Sequence, residues 1–381
     1  MGNFLNKHFF KVYIIPGCVF QSVMVGGGYG TGREVVEYFT QFGLYGGMLG
    51  LLVTFFVMSL VLSLTFELAR AYKSYDYRSL MKNLLGPFWI IFELITIMML
   101  PLVLAVLAAA SGKILEENFG VNYWVGLAIM MSVIGLLTFY GRDVVAKVLT
   151  FWSVFLYVVF LIFFVVVIQQ GGNEIAAAFS HIEIKEGWQN SGFKYAMYNL
   201  TIAPLILYVA RSFTSRKEAM SSGIIAAAIA LFPGLLFHIA FFAVYPEIID
   251  QEIPVYWMIE EFGVGFLLVL YSIMLFGTFI ETGAGVLQGV NERIDSYFLE
   301  TKGRTLGKKA HVATAIGAIV LSGLLSTWGI TNIIGQGYSI IAWVYFAVFV
   351  IPLLTVGVWK ILNAPARSEQ LSTNILSSID K

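Results

Sequence analysis

Three groups of residues in this chain set polar chemistry inside apolar surroundings. The first is Val25-Gly26-Gly27-Gly28-Tyr29-Gly30-Thr31-Gly32-Arg33-Glu34, where five glycines fall within seven residues. Glycine costs about 1 kcal/mol per residue in a helix interior relative to alanine, so a helix entering this run breaks. The break frees amide donors around Gly30, Thr31 and Gly32, at the start of a second half-helix, and a helix N-terminus suits a carboxylate. On its other side it frees carbonyls near Met24 and Gly27 that can coordinate a cation. Small residues also serve close helix packing, but packing needs fewer of them. A dinucleotide-binding reading fails because no strand–turn–helix pattern surrounds the glycines.

The second group is Asn199-Leu200-Thr201-Ile202-Ala203-Pro204. Pro204 has no N–H and leaves the Leu200 carbonyl without its helical donor. The side chains of Asn199 and Thr201 and the carbonyls from Leu200 to Ile202 are then available to a ligand; a plain proline kink is the competing explanation. The third group is Glu281 with Thr278 and Thr282. Glu281 lies 17 residues beyond Val264, near the middle of a long apolar run. An unpaired carboxylate at mid-membrane costs about 3 kcal/mol or more, so it should face a cavity or a partner. Such a group can carry a proton, or pair with an ammonium or a metal ion. The structural alternative is a protonated glutamate bonded to a neighbouring helix.

The elements that position these groups follow from composition. Of 381 residues, 59% are hydrophobic and 12% charged, against about 25% charged in soluble domains. Mean hydropathy is +0.82, and the chain reads as an integral membrane protein. Net charge is zero, which gives nucleic acid no footing, and the single cysteine, Cys18, excludes an internal disulfide framework.

Ten apolar segments can be placed: Phe10–Phe42 (broken at the glycines), Leu44–Tyr72, Pro87–Glu116, Tyr123–Tyr140, Val144–Gln169, Gly192–Phe213 (interrupted at Asn199–Pro204), Ala219–Tyr245, Val264–Phe298, Ala310–Thr327 and Thr331–Ile361. An acidic connection, Glu247–Glu261, is expected to lie on the membrane surface. A flexible cytoplasmic tail is expected over 363–381, leaving 1–362 as one transmembrane domain. With a cytoplasmic N-terminus, all but four of the 23 Lys and Arg (Arg33, Lys113, Lys185 and Lys194) fall inside, as the positive-inside rule requires. Both termini are then cytoplasmic, and the host is the plasma or inner membrane. Ten spans divide into halves of five, about 9–170 and 190–361, each opening on an interrupted helix. Five is odd, so the halves are inverted. Inverted repeats with discontinuous helices in matching positions point to a secondary transporter and its site.

GGGYGTGRE, the interruption NLTIAP and FIETGAG in the eighth segment resemble the YkvI-like membrane proteins. These are amino-acid-permease-like chains of the amino acid–polyamine–organocation superfamily. The resemblance spans about Phe10 to Ile361. It implies an all-α LeuT-type fold, with helices 1, 3, 6 and 8 around a substrate. It further implies a moving bundle of helices 1, 2, 6 and 7 against a scaffold of 3, 4, 8 and 9. Gly28-Tyr29-Gly30 resembles the superfamily's glycine-x-glycine break, where the main-chain groups of a substrate bind. Sodium-coupled relatives usually carry two adjacent hydroxyls on helix 8, whereas this chain has Glu281-Thr282. Some proton-coupled relatives place a lysine on helix 5, where this chain has only Lys147, near the inner end. The coupling ion, H+ or Na+, therefore stays open, with Glu281 leading and Thr278, Thr282 and the carbonyls of Met24 and Gly27 as further candidates.

Other polar groups have lesser expected roles. Arg33, Glu34 and Gln336 are candidate outer-gate residues. His238 reads as a satisfied core histidine, and Glu93 as half of an ion pair on the cytoplasmic side. The function expected is a secondary active transporter of a small amino acid or related amine. A non-transporting receptor with a transporter-like pocket is the alternative, against which the lack of a large soluble domain counts. No HExxH, metal cluster or nucleophile–base pair supports an enzyme, and no cofactor or nucleic-acid partner is expected. The helix interiors are too apolar for a channel.

Overall fold

Leu44–Tyr72 is bounded by Gly43 and Lys73, both at positive φ, and carries an unbroken apolar run between them. With no water to satisfy a strand edge inside lipid, such runs can only be helices. In the computed structural model, which describes residues 8–140, 142–303 and 308–363, every regular element is helical. The principal helices are α1 (Ile15–Met24), α2 (Arg33–Tyr38), α3 (Leu44–Tyr72), α4 (Tyr77–Leu85), α5 (Trp89–Phe119), α6 (Tyr123–Tyr140) and α7 (Arg142–Ala178). They continue with α8 (Trp188–Asn199), α9 (Arg216–Phe241), α10 (Pro254–Glu261), α11 (Gly265–Lys302), α12 (Lys308–Ser326) and α13 (Tyr338–Tyr345). Among the described residues, six helical stretches are long and apolar enough to cross a membrane, and Phe10–Met24, Tyr123–Leu136 and Ala310–Ser326 are shorter apolar helices. Large apolar side chains such as Phe56, Leu136, Ile168, Phe232 and Trp359 are mostly exposed. A surface of this kind suits lipid, and the chain is a multi-pass membrane protein. The expected tail beyond residue 363 lies outside the described residues, as do Lys7, Arg304 and the side chain of Lys147.

The helices pack as two groups. In one, α3 lies along α9 and α8, and α1 lies along α9 and the 3-10 stretch after α8. In the other, α5, α6, α11 and α12 contact one another. Small residues let the first group close tightly. A side chain on Gly192 would strike the Gly50 carbonyl, one on Gly223 would strike the Ser63 backbone, and one on Gly47 would strike His238. Thr54, fully buried, donates from Oγ1 to both Gly50 O (2.9 Å) and Gly192 O (2.8 Å).

Three expectations need correction. The sixth segment is interrupted at Asn199, but it does not open into a loop there. α8 passes directly into a 13-residue 3-10 helix, Leu200–Ser212, with Pro204 inside it. Missing its N–H, Pro204 cannot close an α-type bond to Leu200, and the chain winds more tightly instead. The fifth segment does not stop at Gln169; α7 bends at Gly171 (φ −122°, ψ 18°) and runs on to Ala178. The acidic connection does not simply lie on the surface. Its Ile248, Val255, Met258 and Ile259 are buried, and it caps the bundle above the glycine break.

Candidate functional site

α1 ends where Val25 N–H reaches Gln21 O, and Gly26 N–H turns back to Met24 O (both 2.8 Å). One helical turn follows, Gly27–Gly30, before Gly32 takes φ +82° and launches α2. Only glycine holds that left-handed position at low cost, and a Cβ there would also crowd Phe241 and Val255. The first helix is therefore broken twice, at Val25–Gly26 and at Thr31–Gly32.

Much of the backbone freed by the breaks is claimed by the protein. Gly30 N–H bonds Gly26 O (2.8 Å), Gly32 N–H bonds Tyr29 O (2.9 Å), and Arg33 N–H reaches Thr31 Oγ1 (3.3 Å). Among the carbonyls, Gly28 O accepts from Thr31 Oγ1 (2.8 Å) and Gly30 O from the Tyr271 hydroxyl (2.6 Å). Thr31 O accepts from Val255 N–H of the cap (3.1 Å). The amides of Gly30 and Gly32, expected to greet a carboxylate, are thus already bonded, and α2 has only six residues behind them.

Arg33 and Glu34, adjacent in sequence, point to different places. Arg33 is buried and holds the cap: it donates to Ile249 O (2.8 Å) and Gln251 O (2.9 Å) and pairs with Glu37 (2.8 Å). Glu34 turns inward. Its side chain folds over Gly28, where a Cβ would come within 3.0 Å of its Cγ and Cδ, and it accepts a hydrogen bond from the Tyr198 hydroxyl. Gln336, the third gating candidate, is exposed and has only a long contact to Asn332 (3.5 Å). The backbone beside it does meet α2, because Tyr38 donates to Ile334 O (2.8 Å) and Glu37 lies against Gly335.

Asn199 and Thr201 are buried and bond backward along their own helix, to Tyr195 O (3.0 Å) and Tyr198 O (2.6 Å). Leu200 is buried, and Ile202 is partly exposed. Two tyrosines of the same stretch, absent from the sequence-derived site, meet the first helix instead. Tyr195 and Tyr198 contact Tyr38 at ring separations of 5.4 and 5.5 Å, and Tyr338 packs against Tyr198 at 4.9 Å with the rings tilted. Their signal in the sequence is the i, i+3 spacing just before Asn199, which puts both rings on one helix face.

On α11, Thr278 is buried and donates to Met274 O (2.9 Å). Thr282 faces the first helix: a Cβ on Gly26 would lie 3.5 Å from its Cγ2 and 3.9 Å from its Oγ1. Next to it, Glu281 is partly buried, with no hydrogen-bond or ion partner among the described residues. The α1 face continuing from Gly26 presents Ser22 and Cys18, four residues apart and both exposed. Small residues thus continue from Thr282 along one face of α1, while the Arg33 end is held by the cap. Farther along α11, Arg293 pairs with Glu93 (2.8 Å) and stacks over Tyr77 at 4.4 Å, tying α11 to α5 and α4. His238 is fully buried with both ring nitrogens engaged, Nδ1 with Thr40 Oγ1 (3.1 Å) and Nε2 with Leu44 O (2.9 Å).

Comparison with models of known protein families finds none that matches. Over 364 residues the chain is 23% identical to the uncharacterised membrane protein YkvI of Bacillus subtilis (strain 168), covering 92% of this chain and 95% of that protein. Among solved structures, MhsT in complex with L-phenylalanine superposes with a TM-score of 0.59 at 13% identity, covering 91% of this chain and 97% of the other. A substrate-bound, outward-open Na+-coupled sialic acid symporter gives 0.58 at 14%, covering 89% and 78%. Mhp1, a nucleobase-cation-symport-1 transporter, gives 0.52 at 13%, covering 89% and 76%. The chain is thus YkvI-like in sequence and shares the LeuT-type fold of these transporters.

Proposed function

We propose that this protein is an ion-coupled secondary active transporter that moves a small amino acid or related amine across a cell membrane by alternating access. The observation that carries this reading is the position of the break. The turn Gly27–Gly30 touches α5 and α11 of one packing group while its flanking half-helices belong to the other. A movement of one group against the other therefore passes through the broken helix, whose unpaired or reorganising backbone is tolerated at membrane depth only where it lines a cavity. The Na+-coupled sialic acid symporter and the nucleobase-cation-symport-1 transporter of the same fold support the ion-coupled reading by analogy.

In this account residues 1–362 form one transport domain of ten spans, inverted repeats about 9–170 and 190–361, with both termini cytoplasmic. The Arg33 end is then outside, and the face of α1 that carries Cys18, Ser22 and Gly26 leads toward the cytoplasm. The substrate site comprises Gly26 to Gly32 and Asn199 to Ile202. Glu281 and Thr282, with the carbonyls of Met24 and Gly27 opposite, form the coupling site, and Thr278 supports it from one turn away. Glu281 is its only carboxylate, so a bound sodium ion or a proton would each satisfy it. Arg33 closes the outer gate.

The test is uptake of labelled amino acids and amines into proteoliposomes of the purified protein, under an imposed sodium or proton gradient. Accumulation driven by one gradient and abolished by its collapse is expected. Ligand binding with no flux under either gradient would instead favour a receptor.

A further inference from the structure

The first break contains a carboxylate where an anion-binding site was expected. Glu34 is 4% exposed and lies over Gly28, in the space left by the missing Cβ. The Gly30 and Gly32 amides, expected to hold a substrate carboxylate, are bonded within the chain, and a second negative charge beside Glu34 would be repelled. The aromatic surroundings point the same way. Tyr29, Tyr38, Tyr195, Tyr198 and Tyr338 are all buried and within electrostatic range of Glu34. Tyr198 donates to the carboxylate, and the Tyr338 ring packs, tilted, against that of Tyr198. The Tyr29 hydroxyl, also buried, has no hydrogen-bond partner, and it lies against Gly234 of α9. A buried hydroxyl without a partner is costly and marks a place that something else completes.

We infer that Glu34 and the tyrosines around it form a binding site for the ammonium head of an amine substrate, and that the break does not read a substrate carboxylate. The chemistry is a desolvated ion pair among tyrosine side chains, and a buried carboxylate favours a cation over an anion or a neutral solute. The role of Glu34 is separate from that of Glu281. Glu34 faces α8 and the region around Tyr338, whereas Glu281 lies beside Thr282 on α11. Tyr198 holds Glu34 in the substrate-free state and must give up this bond, or share it, when an ammonium arrives. The inference rests on the transporter reading for the word substrate, but not for the binding site itself.

The test uses two matched sets of probes, in phosphate buffer because common amine buffers would compete. One set is ethylamine, alanine and propionate; the other is phenethylamine, phenylalanine and 3-phenylpropionate. Thermal stabilisation of the purified full-length protein is the readout, since a ligand that binds the folded state raises stability with its concentration. The amine of at least one set should stabilise the wild type, and the carboxylate-only member of that set should not. Glu34→Gln should weaken amine binding at least about tenfold. Tyr338→Leu should weaken it too, by removing the ring packed against Tyr198. Tyr198→Phe should tighten amine binding, because it frees the carboxylate while keeping the ring; a merely structural role for Tyr198 would not give this result. Stabilisation by a carboxylate-only probe but by no amine would overturn the inference. So would amine binding unaltered by Glu34→Gln, or no amine binding at all. Gradient-driven uptake that is indifferent to Glu34→Gln removes the site and leaves the transporter reading standing. Glu34-dependent amine binding with no gradient-driven flux does the reverse.

Discussion

Gly26 and Thr282 face each other across the two packing groups, with 3.5 Å between the Thr282 methyl and the place a Gly26 Cβ would occupy. This contact joins the broken first helix to α11 one residue from Glu281. A methyl group fits there without strain, whereas a branched side chain does not. Gly26→Ala should therefore keep ion-dependent stabilisation close to wild type, and Gly26→Leu should abolish it. Thermal melts with and without sodium, each at two pH values, check both.

Arg33 ties α2 to the cap through two carbonyls and Glu37. Arg33→Ala removes the partner of the half-buried Glu37 carboxylate and should cost the capped state about 1–3 kcal/mol. The population then shifts toward an outward-open form, and α1 closes the cytoplasmic side. The single cysteine, Cys18, reports this directly. Its reaction with a water-soluble maleimide should slow in Arg33→Ala relative to wild type; an unchanged rate would mean that the cap does not gate.

Two glycine-to-alanine substitutions should have opposite consequences. Gly192→Ala drives a methyl into the Gly50 carbonyl at the closest approach of α8 and α3, and should destabilise by about 1–3 kcal/mol. Gly317→Ala, in the middle of α12 with nothing within 4 Å, should be neutral or slightly stabilising. Melting temperatures in one detergent would separate them.

Much of the frame was legible in the sequence because its signals are local. The bounds of α3 follow from an apolar run closed by Gly43 and a basic end, and the first break follows from the cost of adjacent glycines. The two packing groups agree with what the resemblance implied. The direction of Glu34 was not legible. It is set by the left-handed turn at Gly32 and by the room over Gly28, and sequence spacing alone left it a solvent-facing gate candidate. Pro204 announced a disturbed helix but not its form, since a missing N–H can be met by an opened loop or, as here, by 3-10 winding. The end of α7 was missed because Gly171-Gly172 reads as a stop, whereas one bent residue lets the helix continue. The seat of the cap depends on Val255 meeting Thr31, more than two hundred positions away, and no local pattern encodes that.

Glu281 carries the coupling claim. Removing its charge with little change in shape should leave binding and exchange intact. Gradient-driven accumulation should fall by roughly tenfold or more, the signature of a lost transport interaction rather than a lost fold.

The most direct measurement compares wild type and Glu281→Gln in proteoliposomes, following substrate accumulation under an imposed sodium or proton gradient alongside exchange without a gradient. The account predicts that wild type accumulates under one of the two gradients, while Glu281→Gln exchanges substrate but does not accumulate it. Equal, gradient-dependent accumulation in both proteins, or none in wild type under either gradient, would contradict it.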